Sequence, residues 1–277
     1  MERRETPRRL IVNADDFGRS PSINQAVVRA HREGILTTAS LMTNESAFDE
    51  AVAFAKENPR LGVGLHLTLV CGNSALSPEK IPGLVNGKKQ FSNNPVSSGF
   101  RFFACRNLKA QLENEIEAQF EKFHATGLPL DHVNGHLHFH MHPTIFKILM
   151  KNSERWKIQR MRLTNDRFRL NARLARGQWA YRLSHAAIYR GLSMWARPYF
   201  ARKNIRHTQS VFGLLQNARV DENFVEKLLP QLPFGDSELY SHPSLDEFKN
   251  EFDALISPRV KELVVQQKIQ LIRYQDL

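Results

Sequence analysis

The sequence predicts an α/β fold, a parallel sheet with helical crossovers that closes into a barrel. Three observations carry that prediction. Short apolar runs alternate with amphipathic helical stretches roughly every 20–40 residues, the rhythm of strand–helix–strand units. Seven or eight such units can be laid along the chain, which favours a barrel over an open sheet, and 277 residues suffice for one barrel as a single domain over 1–277. The first strand is followed by no glycine-rich phosphate loop and no dinucleotide fingerprint. No G-x-S-x-G occurs, which argues against an α/β-hydrolase nucleophile.

Taken in order, Leu10-Ile11-Val12 reads as a buried strand that gives way to a loop, Asn13-Ala14-Asp15-Asp16-Phe17-Gly18. Ser20-Pro21 supplies an N-cap and a first-turn proline. The helix it opens carries Ile23, Ala26, Val27 and Ala30 on one face and stops near Gly34. Thr37 to Thr43 is a second strand, Phe48 to Lys56 a helix, and Leu61 to Leu69 a third strand. Residues 71–107 break the rhythm: Gly, Pro, Ser and Asn recur there without period, predicting a lid-like loop. Leu108, Leu112, Ile116, Phe120 and Phe123 mark an amphipathic helix ending at Gly127. Pro143 opens another helix, and Ile158 to Leu163 is a strand. Thr208 to Leu214 and Asp236 to Ser241 are strands around a helix at Glu222 to Leu229. Helices at Asp246 to Ile256 and Val260 to Gln267 and a strand at Ile269 to Arg273 close the chain.

Between these lies Leu130-Asp131-His132-Val133-Asn134-Gly135-His136-Leu137-His138-Phe139-His140-Met141-His142, which holds five of the eleven histidines. Read as extended chain with a period of two, His132, Asn134, His136, His138, His140 and His142 share one face. Neutral imidazole is the commonest protein ligand for a transition metal. A surface strand with ordinary polar histidines, or an adventitious metal-binding tract, fits the stretch as well. Only ligands elsewhere in the chain decide.

Hydrophobic content of 42% and charged content of 24% are those of a globular protein. Cys71 and Cys105 make no metal-type spacing and read as reduced thiols. Neither a signal-peptide core after the basic N-terminus nor a run of about 18 apolar residues is present, so a cytoplasmic location is expected. The net charge of +11 is concentrated: Arg167 to Val220 contains eleven Arg or Lys and no Asp or Glu. One basic block suggests a local docking surface rather than a nucleic-acid-binding protein, and no nucleic-acid motif occurs.

Asp15-Asp16, His66, the histidine stretch and His242 all fall at C-terminal ends of predicted strands. In a parallel barrel those ends meet on one rim, where active sites sit. Each has an innocent reading alone (a turn, a core histidine, a loop corner); their shared position lowers the chance of coincidence.

These motifs, Asn13-Ala14-Asp15-Asp16-Phe17-Gly18, Gly64-Leu65-His66-Leu67, Asn134-Gly135-His136-Leu137-His138-Phe139-His140-Met141 and His242-Pro243, resemble the signatures of the YdjC-like (ChbG-type) carbohydrate deacetylases. The resemblance spans residues 10 to about 165 and 208 to the end. The family's third motif usually has Asp-Ser where this chain has Asn134-Gly135, a departure that leaves metal ligation intact and bears on the hydrogen bonds behind it. The arginine-rich stretch and the Pro-Ser-Leu-Asp-Glu-Phe sequence after His242 are most similar to the hopanoid-biosynthesis-associated HpnK branch.

The resemblance implies a distorted TIM-like (β/α)7-8 barrel that removes acetyl from an N-acetylated amino sugar, in the narrower branch a sugar carried on a hopanoid lipid. It implies a divalent metal, Zn2+ favoured and Mg2+ possible, held by Asp16, His66 and His136, with Asp15 as general base and His242 as general acid. Two imidazoles and a carboxylate leave positions open, as catalysis requires. His138, His140, Arg162 and Asn44 are candidates for substrate contact, Arg162 alternatively for orienting Asp15. The rivals are a metal-dependent phosphoesterase on a similar barrel and a non-enzymatic basic protein binding membrane or nucleic acid.

Within 166–207, Leu174, Tyr181, Ile188, Leu192, Trp195 and Tyr199 keep helical spacing, flanked by arginines and aromatics. This basic helical insertion either packs on the barrel with a solvated face or docks on an anionic membrane surface, where a glycolipid substrate would lie.

Overall fold

The computed structural model describes residues 7–175, 177–216 and 219–277. Its first half runs β1 (Arg8–Phe17), α1 (Pro21–Glu33), β2 (Thr38–Leu41), α2 (Phe48–Glu57), β3 (Gly62–Leu67), α3 (Pro95–Ala104), α4 (Leu108–Ala125), β4 (Val133–Gly135) and α5 (Pro143–Lys151). The second half runs α6 (Phe168–Leu174), α7 (Trp179–Lys203), β5 (Ser210–Phe212), α8 (Glu222–Leu228), β6 (Gly235–Ser241), α9 (Lys249–Ile256), α10 (Pro258–Gln266) and β7 (Gln270–Leu271). The strands form one parallel sheet in the order β4-β3-β2-β1-β6-β5, with β7 pairing to the start of β1.

Beyond the edge strands, main-chain bonds carry the curl onward. The Arg162 N–H donates to the Val133 carbonyl and the Val133 N–H to that of Arg160. On its other side the same segment receives the Arg206 N–H at Gln159 and the Val211 N–H at Asn165. The expected strand at 158–163 is thus an extended bridge between β4 and β5, and the curled sheet is compatible with a distorted TIM-like barrel. Its strands are sealed on both sides, which is why β1 to β3 read as nearly unbroken apolar runs. β4 can approach β3 only because residue 64 is glycine: a Cβ there would lie 2.5 Å from the His132 ring.

Three expectations change. Asp15 and Asp16 belong to β1 itself, not to a loop after it. The histidine stretch is extended only through Gly135; Leu137 and His138 then take left-handed φ of 50° and 59°, and 136–141 winds into a short 3-10 turn. The period-of-two reading therefore fails beyond His136. Residues 71–107 are not all loop: Asn94 caps α3 by accepting from the Ser97 N–H at 2.9 Å, and Pro95 sits in its first turn. The basic stretch is helical as expected. Trp195 and Tyr199 pack on Phe146, but Ile188 is 55% exposed rather than packed in a stripe. Arg176, within that stretch, lies outside the described residues. Both cysteines are free thiols. No described helix is long and apolar enough to cross a membrane.

Candidate active site at the strand ends

Neighbouring residues of a regular strand face opposite ways. β1 escapes that rule where its register with β2 shifts between Ala14 and Phe17 and Asp16 adopts φ 64°. The irregularity, a bulge in effect, lets both carboxylates address the same imidazole. His66 Nδ1 lies 3.9 Å from Asp15 Oδ1, and His66 Nε2 lies 3.2 Å from Asp16 Oδ1. Gly18 follows at φ 92°, where a side chain would also press on the Met42 carbonyl.

His66 comes from the end of β3 and His136 from the residue after β4, both buried. Together with Asp16 they offer three ligand atoms within 4.8 Å of one another. His136 Nδ1 stands 2.9 Å from Asp16 Oδ1, while Arg19 donates to Asp16 Oδ2 at 2.7 Å. Burial alone would favour a protonated Asp16, but His136 leads the opposing pull and the carboxyl is held well below its ordinary range. The orientation of His66 is fixed from behind. The Asn134 amide donates to Asp15 Oδ1 at 3.0 Å and Ser40 Oγ at 2.8 Å, so its oxygen faces His66 Nδ1 at 2.7 Å and must accept from it. The proton is therefore on Nδ1, and Nε2 keeps a lone pair beside Asp16, buried and without a hydrogen-bond partner. A lone pair facing a carboxylate is unfavourable unless a cation lies between them. This donor set could hold a divalent ion.

Asp15 is the opposite case. Arg162, fully buried, grips it with NH1 to Oδ2 at 2.7 Å and NH2 to Oδ1 at 2.9 Å. Asn13 and Asn134 also donate to Oδ1, at 2.8 and 3.0 Å. Burial pushes the Asp15 carboxyl up, but Arg162 dominates and keeps it far below the ordinary range. Oδ1 thereby accepts three hydrogen bonds, while Oδ2 accepts one, from Arg162, among the described residues. The second face of Arg162 is bound by Glu238 Oε1 at 3.0 and 2.7 Å, and Tyr274 donates to Glu238 Oε2.

Asp15, Asp16, His66 and His136 floor a cleft of about 890 Å³ that His242, just after β6, also lines. His242 stands 3.8 Å from Glu251 of α9, which accepts the His242 N–H as well. Burial disfavours the imidazolium, but Glu251, with Asp16 and Asp15 beyond it, overrides this and raises His242 to about 9. Its proton is in place at neutral pH.

The remaining candidates separate. His138 lines the cleft and pairs with the Tyr240 hydroxyl at 3.0 Å; burial and the nearby Arg162 keep its ring neutral. His140 is fully buried and bonds the Arg162 carbonyl at 3.1 Å, so it buttresses that segment and does not reach substrate. Arg162 orients Asp15 and, sealed beneath the floor, leaves no face for a sugar. Asn44 turns away from the cleft to the Asn73 carbonyl at 3.3 Å. Glu238 and Glu251 were not singled out by sequence, whereas Asn134 was, as the departure expected to bear on the hydrogen bonds behind the metal ligands. It was also visible as a face-mate of His136, but nothing in spacing links Glu238 to Arg162 or Glu251 to His242.

Curled parallel sheet and clustered strand ends together define an α/β protein, compatible with a distorted TIM-like barrel, with a cleft at the C-terminal rim floored by a His/Asp cluster that could hold a metal ion. The chain belongs to the YdjC-like protein family, whose sequence profile matches residues 9–266. It is 41% identical over 150 residues to a carbohydrate deacetylase of Brevibacillus brevis, covering 54% of this chain and 57% of that one. A chitooligosaccharide deacetylase of Proteus mirabilis is 38% identical over 144 residues, covering 50% and 53%. The chain thus spans a little over half the length of these curated relatives. A solved chain from Enterococcus faecalis V583, named for cellobiose-phosphate cleavage, superposes with a TM-score of 0.73 at 22% identity over 98% of this chain and 99% of its own, a likeness of fold.

Proposed function

We propose that this protein is a metal-dependent N-deacetylase that hydrolyses the acetamide of an N-acetylated amino sugar to the free amine and acetate. The observation that carries the reading is the division of labour at the floor: an orphaned imidazole lone pair beside Asp16, and an ionised Asp15 held by Arg162 next to it. The names of the curated relatives support the same chemistry. Asp16, His66 and His136 would hold the ion, which when bound supplies Lewis acidity for the acetamide carbonyl and acidifies water. Asp15 Oδ2 takes the proton of the attacking water, with Arg162 fixing the carboxylate's plane. His242 donates its proton to the departing nitrogen, since an amide anion is too basic to leave unprotonated. His138, held neutral, can hydrogen-bond a sugar hydroxyl without competing for that proton.

The finer reading is a substrate with an apolar aglycone, as in the hopanoid branch, met at a membrane surface. It is supported by the cleft wall, where Val96, Phe100 and Phe103 share one face of α3 and are 68%, 73% and 71% exposed. A phosphoesterase fits less well: Arg19 is the only Arg or Lys among the described cleft-lining residues, and Asp16 already engages it. Acetate release from N-acetylglucosamine conjugates, with and without chelator, tests the assignment. Release that ignores the chelator removes the metal, and release of phosphate in place of acetate removes the deacetylase.

A further inference from the structure

A second cavity, of about 840 Å³, lies on the other side of α7 from the catalytic cleft. The helix is a shared wall. Tyr181, His185 and Ile188, at i, i+4 and i+7, face the cleft, whereas Leu183, Ala186, Ala187 and Arg190 face the second cavity. Phe168 and Leu170 of α6 complete an apolar floor, and Arg167, Arg169, Arg173 and Arg190 stand exposed around it. Among the described residues none of these four arginines pairs with a carboxylate. No Asp or Glu occurs from Arg167 to Val220, and the one carboxyl lining the cavity, Asp166, is pushed up to about 8 by burial against the opposing pull of Arg182. An apolar trough rimmed by guanidinium groups suits a ligand that is anionic at one end and hydrocarbon at the other.

We propose that this groove between α6 and α7 seats the phosphate headgroup and upper acyl chain of an anionic phospholipid, anchoring the protein on a bilayer with the catalytic cleft beside the lipid surface. Guanidinium forks match phosphate oxygens in pairs, which a diffuse basic patch of lysines does not do. Leu183, 54% exposed, and Trp179, 46% exposed, lie along the same helix for contact with the interface. Seating a lipid on one face of α7 would steady the wall that the other face presents to substrate.

The groove rests on the membrane-contact part of the proposed function, and vesicle sedimentation tests it without any turnover. Phosphatidylcholine vesicles with about a third phosphatidylglycerol should carry the protein down, and pure phosphatidylcholine should not. Arg169→Ala/Arg173→Ala/Arg190→Ala should weaken that binding by roughly fivefold per arginine. Lys56→Ala/Arg60→Ala/Lys268→Ala removes equal charge from exposed positions outside the groove and should weaken binding by less than about threefold. Equal losses in the two triple variants mean diffuse attraction and overturn the groove. So does equal binding to neutral vesicles, or release by millimolar inorganic phosphate at constant ionic strength, which marks a free-anion site. Because sedimentation reads no catalysis, an inactive protein that still binds vesicles sinks the deacetylase assignment alone, and the reverse result sinks the groove alone.

Discussion

The floor of the cleft and its rim are built by opposite rules. On the floor almost every polar atom has a partner: Asp15 accepts four hydrogen bonds, Arg162 is shared between two carboxylates, and Asn134 ties three groups together. The rim, on α3 and α7, leaves large apolar side chains in solvent, among them Val96, Phe100, Phe103 and Ile188. A network with no slack fixes geometry to a few tenths of an ångström, which chemistry at a carbonyl requires. An apolar rim fixes no geometry; it rewards any greasy surface that covers it. On the proposed function, reaction type therefore belongs to the floor, and choice of substrate to the rim.

The sharpest break in the comparison comes at the floor, where adjacent carboxylates are assigned different work. Asp15→Asn should lower acetate release by roughly 10²–10⁴ while leaving metal content unchanged. Glu238 still pairs Arg162 in that variant, so the fold should survive. His66→Ala should lose both metal and activity. Metal analysis on both purified variants, beside turnover, separates the roles; full activity in Asp15→Asn removes the base.

Next in size is the support behind His66. Asn134→Leu takes away the acceptor for Nδ1–H and frees the ring to change tautomer, which should weaken metal affinity about 10–100-fold. Asn134→Asp keeps the acceptor but replaces a donor to Asp15 with a second negative charge. It should hold metal near normally and move the acidic limb of the pH–rate profile upward, because Asp15 loses a hydrogen bond that favours its ionised form. Titration with metal and a pH profile on one preparation read both.

How much of this was legible without coordinates follows the same divide. The sheet was visible because strands sealed on both faces are largely apolar, and the gathering of Asp15-Asp16, His66 and the histidine stretch because strand ends converge, whereas the choice of Asp16 and His136 among them came from the family resemblance. Alternation could not reveal the bulge at Asp16 or the left-handed turn at Leu137 and His138, since both break the period that the reading assumes. Glu251 and Glu238 reach His242 and Arg162 from other elements, and only packing brings them there. The α3 cap, Asn94-Pro95, was in plain sight but lost among turn-forming residues, and the apolar face of α3 went with it.

A smaller effect belongs to the proton on His242. Its raised value depends on Glu251 more than on the floor carboxylates, whose charge a bound cation would offset. If His242 acts as the proposed acid, the imidazolium is the active form, so activity should hold below pH 9 and fall as pH rises through about 9. Glu251→Gln should bring that fall towards the ordinary histidine value near 6.5, costing roughly thirtyfold at pH 8 and less than twofold at pH 6. An alkaline limb that stays at its original place in Glu251→Gln removes His242 as the acid.

The smallest effect should come from the rim, and it is the one that tests whether floor and rim are separable. Phe100→Ser/Phe103→Ser removes two exposed rings that line the cleft and touch none of the floor's hydrogen bonds. With a short water-soluble N-acetylated sugar, kcat and KM should both stay within about twofold. With the same sugar on a long alkyl chain, KM should rise roughly tenfold at unchanged kcat, because each ring covers apolar surface that the substrate otherwise exposes to water. A matching rise for both substrates would place α3 against the sugar itself, and the two regions would then share one task.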